Sequence, residues 1–135
     1  MAKNLLVEIV SPDRTAYRGE ATRFRAPGVE GAFEVLRGHA PMLAATTVGQ
    51  TIVTTADGQR VAVATSAGFV EVLDDRVIML AETAEPASDI DTARARDAEE
   101  RARQRLAEAT AEERAEAQAD LDRARNRLRA SMGTV

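Results

Sequence analysis

Leu5, Val7 and Ile9 alternate with Leu6, Glu8 and Val10, a period of two with apolar residues on both sides of a strand. Ser11-Pro12-Asp13 follows as a turn, because proline pre-sets its own φ. Thr22, Phe24 and Ala26 alternate with Arg23 and Arg25, one side suited to a core and the other to water. Two further pairs of runs carry hairpin signals. Residues 52–55 and 61–64 flank Ala56-Asp57-Gly58-Gln59, and residues 68–73 and 77–80 flank Asp74-Asp75-Arg76. Short strands with a turn every 8–12 residues or about that predict a small antiparallel β-sandwich over residues 1–86.

From Ser88 the period changes to that of a helix. Ile90, Ala98, Ala102, Leu106 and Ala109 form one narrow stripe, and Ala117, Leu121, Ala124, Leu128 and Met132 a second. Ser88 with Asp91 reads as a capping box that opens the first helix; Thr110 with Glu113 reads as another, so the run breaks and restarts. Gly133 stands where a C-terminal cap is expected. Residues 87–135 are thus predicted to form an antiparallel two-helix hairpin. Alanine, arginine and glutamate favour helix strongly, and Asp97–Arg101 and Glu99–Arg103 add acid-first i,i+4 pairs. Burying a leucine yields about 1.5–3 kcal/mol, an alanine methyl closer to ~0.8. Alanine seams therefore predict helices that persist while their packing is easily exchanged: a mobile hairpin.

Composition sharpens the boundary. All four prolines, all four aromatics and seven of eight glycines precede Ser88 in this chain of 135 residues. A body this short has a modest core, so part of its stability is expected to come from a partner. A formal charge of −4 makes no general case for nucleic acid. Without cysteine there is neither a disulfide framework nor a thiol site, and one histidine, His39, rules out a His/Cys metal cluster. No nucleophile–base pair and no phosphate-cradling glycine loop appears, which argues against an independent enzyme. The first residues soon meet Glu8 and Asp13 and read as no signal peptide. No apolar run approaches the ~20 residues of a membrane span.

Candidate chemistry lies in the hairpin. With the turn at Thr110, Arg94 lies 16 residues before it and Arg127 17 after. At 1.5 Å per residue both stand about 24–26 Å from the turn. Asp91, Arg94, Arg123 and Arg127 then share one level, with Glu85 just beyond. Three guanidiniums repel one another without an anion and pair well with phosphate oxygens, so a polyphosphate is one guest the spacing fits. A salt-bridge network around Asp91, or a solvated face, fits the same spacing. In the body, Phe33, Val35 and Leu36 lie among Pro27-Gly28, Gly31 and Gly38-His39-Ala40-Pro41. They read either as a contact surface or as filling for the end of the sandwich. His39 reads as a structural or contact residue.

Taken in order, Ser11-Pro12, Gly38-His39-Ala40-Pro41, Ala67-Gly68-Phe69-Val70-Glu71-Val72 and Ile90-Asp91-Thr92-Ala93-Arg94-Ala95 resemble the epsilon subunits of bacterial F-type ATP synthases over the whole chain. The last stretch matches that family's I/L-D-x-x-R-A motif, and Arg123 and Arg127 fall at its second-helix arginine positions. Ala32 to His39 departs from the family's usual Glu-Leu-Gly-Ile-(Leu)-Pro-Gly-His run. The resemblance implies a non-catalytic rotor subunit that couples rotation and inhibits ATP hydrolysis through a mobile hairpin. It implies ATP, as a regulatory ligand rather than a required cofactor, held by Glu85, Ile90, Asp91, Arg94, Arg123 and Arg127. It implies contact with the gamma subunit and the c-subunit ring through Ser11, Glu30, Ala32, His39 and Ala44, and with the alpha-beta hexamer when the hairpin extends. It places the complex at the cytoplasmic face of a bacterial plasma membrane. A purely structural rotor adaptor with a salt-bridged hairpin is the alternative.

Overall fold

The computed structural model of the protein describes residues 4–133. Nine strands come first: β1 (Leu5–Val10), β2 (Thr15–Ala26), β3 (Phe33–Val35), β4 (Met42–Thr46), β5 (Gly49–Thr55), β6 (Arg60–Thr65), β7 (Gly68–Leu73), β8 (Arg76–Ala81) and β9 (Ala84–Pro86). They follow the order β4-β7-β8-β1-β2-β5-β6-β9, with β3 on β2. The long β2 joins the two layers: residues 15–21 pair with β1, while Ala21–Arg25 pair with β5. The register slips between Ala21 and Arg23, which face Thr55 and Thr54 in turn. Thr22 is the extra residue of this bulge and lies exposed, not beside buried Phe24 and Ala26 as its spacing predicts; Ala21 takes the inward place. One pair departs from the antiparallel rule, since β1 runs parallel to β8. Parallel neighbours need a long connection, and the strands between them supply it.

The sandwich core gathers Leu5, Ile9, Phe24, Val35, Val53, Val70 and Met79, all with no exposed surface. Val35 belongs to it and Phe33 packs against it, so most of the apolar content of residues 26–42 fills the body, and Leu36 stays exposed. Asp74 and Asp75 both take left-handed backbone angles (φ 50° and 62°), the twist a two-residue hairpin requires. Asp75 then serves two neighbours: its carbonyl accepts from Leu6 N at 2.9 Å, and its Oδ1 from Gly38 N at 2.7 Å.

A 3₁₀ turn (Ala87–Asp89) leads into α1 (Thr92–Glu108) and α2 (Arg114–Ser131). The first cap falls three residues later than its sequence predicts. Ile90 and Asp91 are extended, and Asp91 itself is the N-cap, its Oδ1 accepting from Arg94 N at 3.0 Å. Extension lets Ile90 bury against Ala64 and Leu128, so it precedes the first helix instead of heading its stripe. At the second start the box forms in both directions: Thr110 N donates to Glu113 Oε1 (3.0 Å), and Glu113 N to Thr110 Oγ1 (3.3 Å). These bonds, the backbone one foremost, hold the Glu113 carboxyl below the usual carboxylate range. Glu99 and Arg103 pair at 2.7 Å, whereas Asp97 and Arg101 do not.

The hairpin is folded down on the sandwich. Ala64 of β6 meets Ile90, Ala95, Leu128 and Ala130 in a cluster that shares no member with the sandwich core. Ala95 and Ala130 are additions to the expected stripes, and Met132 is exposed. The reason is that α2 serves two neighbours, α1 on one side and β5–β6 on another, so its buried residues occupy two stripes.

Candidate functional site

Between α2 and the sandwich edge lies a cleft of about 360 Å³. The β1–β2 turn contributes Ser11, Asp13 and Arg14; β9 contributes Glu85; α2 contributes Arg123, Asn126 and Arg127, four residues apart at its ends and so on one side of the helix. Arg127 Nε donates to Glu85 Oε1 at 2.8 Å and its Nη2 to Oε2 at 3.4 Å. Arg123 is bonded to Asp120, and Arg14 to Asp89 at 2.8 Å. Each of the three guanidiniums thus has a carboxylate partner. An incoming anion has to compete with Glu85 for Arg127.

On the opposite side of the body, the outer face of β4, β7, β8 and β1 carries an apolar row beside one that also holds Glu71 and Glu8. Register aligns Ala45, Phe69, Leu80 and Val10 in one row across the four strands. Phe69 and Leu80 are each 57% exposed, and Leu43 on the neighbouring row 71%. Large side chains standing together in water mark an interaction surface.

The two parts of the chain match two domain families. Residues 4–87 match the ATP synthase delta/epsilon chain beta-sandwich domain, and residues 88–132 the long alpha-helix domain of the same chain. A protein of Salinibacter ruber named ATP synthase epsilon chain is 53% identical over 144 residues, covering 100% of this chain and 97% of that one. The ATP synthase epsilon chain of Syntrophomonas wolfei is 44% identical over 127 residues, covering 93% of each. The chain belongs to the ATP synthase delta/epsilon chain family. Members of this kind are non-catalytic subunits of their complex, and so is this one. A chain of the Euglena gracilis mitochondrial ATP synthase, in a structure of OSCP, F1 and c-ring, shares the fold with a TM-score of 0.82 at 21% identity, covering 98% of this chain and 83% of that one.

Within this delta/epsilon-family chain the sequence-predicted residues divide. Glu85, Arg123 and Arg127 come together in the cleft. Asp91 and Arg94 meet each other through the α1 cap but do not line it, and Ile90 is buried beneath the hairpin. Arg94 stands at the expected level on the wrong side: Ala95 is the buried residue, and Arg94 lies about 100° around the helix from it, exposed. Ser11, nearly buried, lines the same cleft as Arg127 and bonds Arg14 O at 3.4 Å. Glu30 and Ala32 are exposed beside Gly31 (φ 125°), and Ala32 borders a second cleft with Arg25, Arg125 and Arg129 on the other flank of α2. His39 is half-buried, its Nδ1 2.7 Å from Ala40 O. Ala44 sits on the inward side opposite Val70, so its neighbours Leu43 and Ala45 present the outer face. Sequence reasoning missed Phe69 and Leu80 as surface residues. Alternation alone assigns apolar residues to a core; exposed Glu71, on the same side of β7 as Phe69, is the signal that could have placed Phe69 outward.

Proposed function

We propose that this chain is a central-stalk subunit of a proton-translocating F-type ATP synthase, coupling rotation and restraining ATP hydrolysis through its hairpin, with ATP favouring the docked form. The observation that carries the reading is the cleft. Arg123 and Arg127 ride on α2 while Arg14 belongs to the β1–β2 turn of the sandwich, so a polyphosphate held by all three, displacing Glu85 from Arg127, bridges the mobile and fixed parts. A ligand that prefers one of two arrangements shifts the population toward it by its differential affinity. The apolar outer face around Phe69 suits the gamma subunit, and the Glu30–Ala32 tip the c ring. Once released, the arginine-rich α2 suits acidic surfaces of the alpha-beta hexamer. Among the described residues no helix is long and apolar enough to cross a membrane, which fits a peripheral place on the cytoplasmic face of the complex.

A specific observation favours the second reading, a structural adaptor with a salt-bridged brace: each arginine of the cleft already has a carboxylate partner. Calorimetry separates the two. The coupling reading expects ATP to bind the isolated chain and the double variant Arg123→Ala/Arg127→Ala to lose that binding with its circular dichroism intact. Undiminished binding by the variant would sink the site, and no binding by the parent chain would favour the adaptor.

A further inference from the structure

We infer that Asn126 is the positioning residue that sets where α2 docks on the sandwich, a latch distinct from the arginines beside it. The inference rests on the hairpin being a releasable element. Asn126 Nδ2 donates to Gly49 O at 2.7 Å and lies 3.4 Å from Thr65 O. Two carbonyl oxygens on one side require the amide nitrogen there, not Oδ1. Gly49 and Thr65 are partners across the β5–β6 ladder, so both acceptors are main-chain atoms held in place by the sheet. The neighbouring Arg127–Glu85 pair is of another kind. Both side chains are long and partly exposed, 40% and 30%, and can meet over a range of helix positions. Sliding α2 by one residue moves the amide about 1.5 Å and turns it about 100°, which breaks its bonds to both oxygens. The amide therefore reads register, while the ion pair and the alanine seam tolerate slippage.

The acceptor side is prepared for release as well as for docking. Thr65 Oγ1 donates to Gly49 O at 3.3 Å and stands 2.9 Å from Thr51 Oγ1, which in turn lies 3.4 Å from Met79 Sδ. Both threonines are buried. When α2 leaves, Gly49 O keeps the Thr65 hydroxyl and the Asn126 amide passes to water. Neither arrangement strands a polar group of this set without a partner, which is what a reversible latch needs.

The test uses the full chain, which contains no cysteine, with spin labels at Glu82→Cys and Gln104→Cys, both exposed positions. Asn126→Asp is nearly isosteric but sets a carboxylate against two carbonyl oxygens; Asn126→Ala removes the donor while raising helix propensity. The docked distance of the parent should lose population at least tenfold in Asn126→Asp and less in Asn126→Ala, with helicity at 222 nm retained. Leu128→Asp is the control that removes apolar docking. If it releases the hairpin while both Asn126 variants keep the parent distance, the latch is overturned and the mobile hairpin stands. If all three keep it, the releasable hairpin itself is refuted. Loss of helicity in both Asn126 variants would also overturn the latch, because Asn126 would then be supporting the helix, not its docking.

Discussion

Leu128→Ala should undock the hairpin and leave the sandwich alone. Three carbons leave a site that is 7% exposed, which at ~0.8 kcal/mol per methylene removes about 2.4 kcal/mol of burial. A cavity would add to this, but the site lies at a helix–sheet seam that can close, so the effect belongs near the low end of the 2–5 kcal/mol range or thereabouts for leucine truncation. Its cluster otherwise holds Ile90 and the alanines Ala64, Ala95 and Ala130, each contributing about a methyl group. One leucine thus carries about as much docking energy as all three alanines. The docked-to-released ratio should fall by roughly 50-fold. Hydrogen exchange at hairpin amides near β6 reports the docking. Melting followed by fluorescence of Tyr17, which packs against the sandwich core, reports the body. The two clusters share no residue, so the Tyr17 melt should stay where it is. A parallel fall of both signals would refute the separation of the cores, and no change in exchange would refute the weight given to Leu128.

Other expectations follow from particular contacts. Glu113 is held below the usual carboxylate range by its bonds to Thr110, so its support of the α2 start is present above that range and lost as pH falls through the lowered value. Protection of amides at the start of α2, taken relative to the intrinsic exchange rate at each pH, should fall on acidification, and Glu113→Gln should flatten that dependence; an identical pH profile in the variant contradicts it. Phe69→Asp with Leu80→Asp, on the exposed outer row, should leave the melting temperature within a few degrees but weaken binding to the gamma subunit at least tenfold by titration. Retained affinity would remove that face from the interface. At Gly68 a Cβ would collide with the Leu80 carbonyl and stand 2.8 Å from Ala81 Cα, both backbone. Gly68→Ala should therefore cost about 3 kcal/mol in denaturant unfolding, and a neutral result would show that β7 and β8 can part locally.

Strand pairs, their turns and the two-helix tail were legible because each rests on local chemistry: the period of two, the Asp-Gly and Asp-Asp turns, the reciprocal Thr110–Glu113 box. The parallel β1–β8 pair was not, since neighbours 70 residues apart leave no local trace. Nor was the bulge at Thr22, which only its partner strand reveals. At the α1 start, Ser88 and Asp91 are both competent caps, and burial of Ile90 decides between them. Residue counting placed Arg94 and Arg127 at one level but could not say which side of α1 would face inward. Asn126 and Ala130 escaped notice because an amide and an alanine at i,i+4 carry no apolar pattern, although together they mark the side of α2 that meets the sheet.

On the proposed function, the hairpin restrains the motor when it is released from the sandwich. The most direct measurement of this is ATP hydrolysis by a complex reconstituted with the chain truncated after Pro86, against the complex with the full chain, at low and high ATP. Truncation should raise hydrolysis at low ATP, where the full chain is released and inhibitory, and change it little at high ATP. Equal rates at every ATP concentration would contradict a regulatory hairpin and leave the structural adaptor.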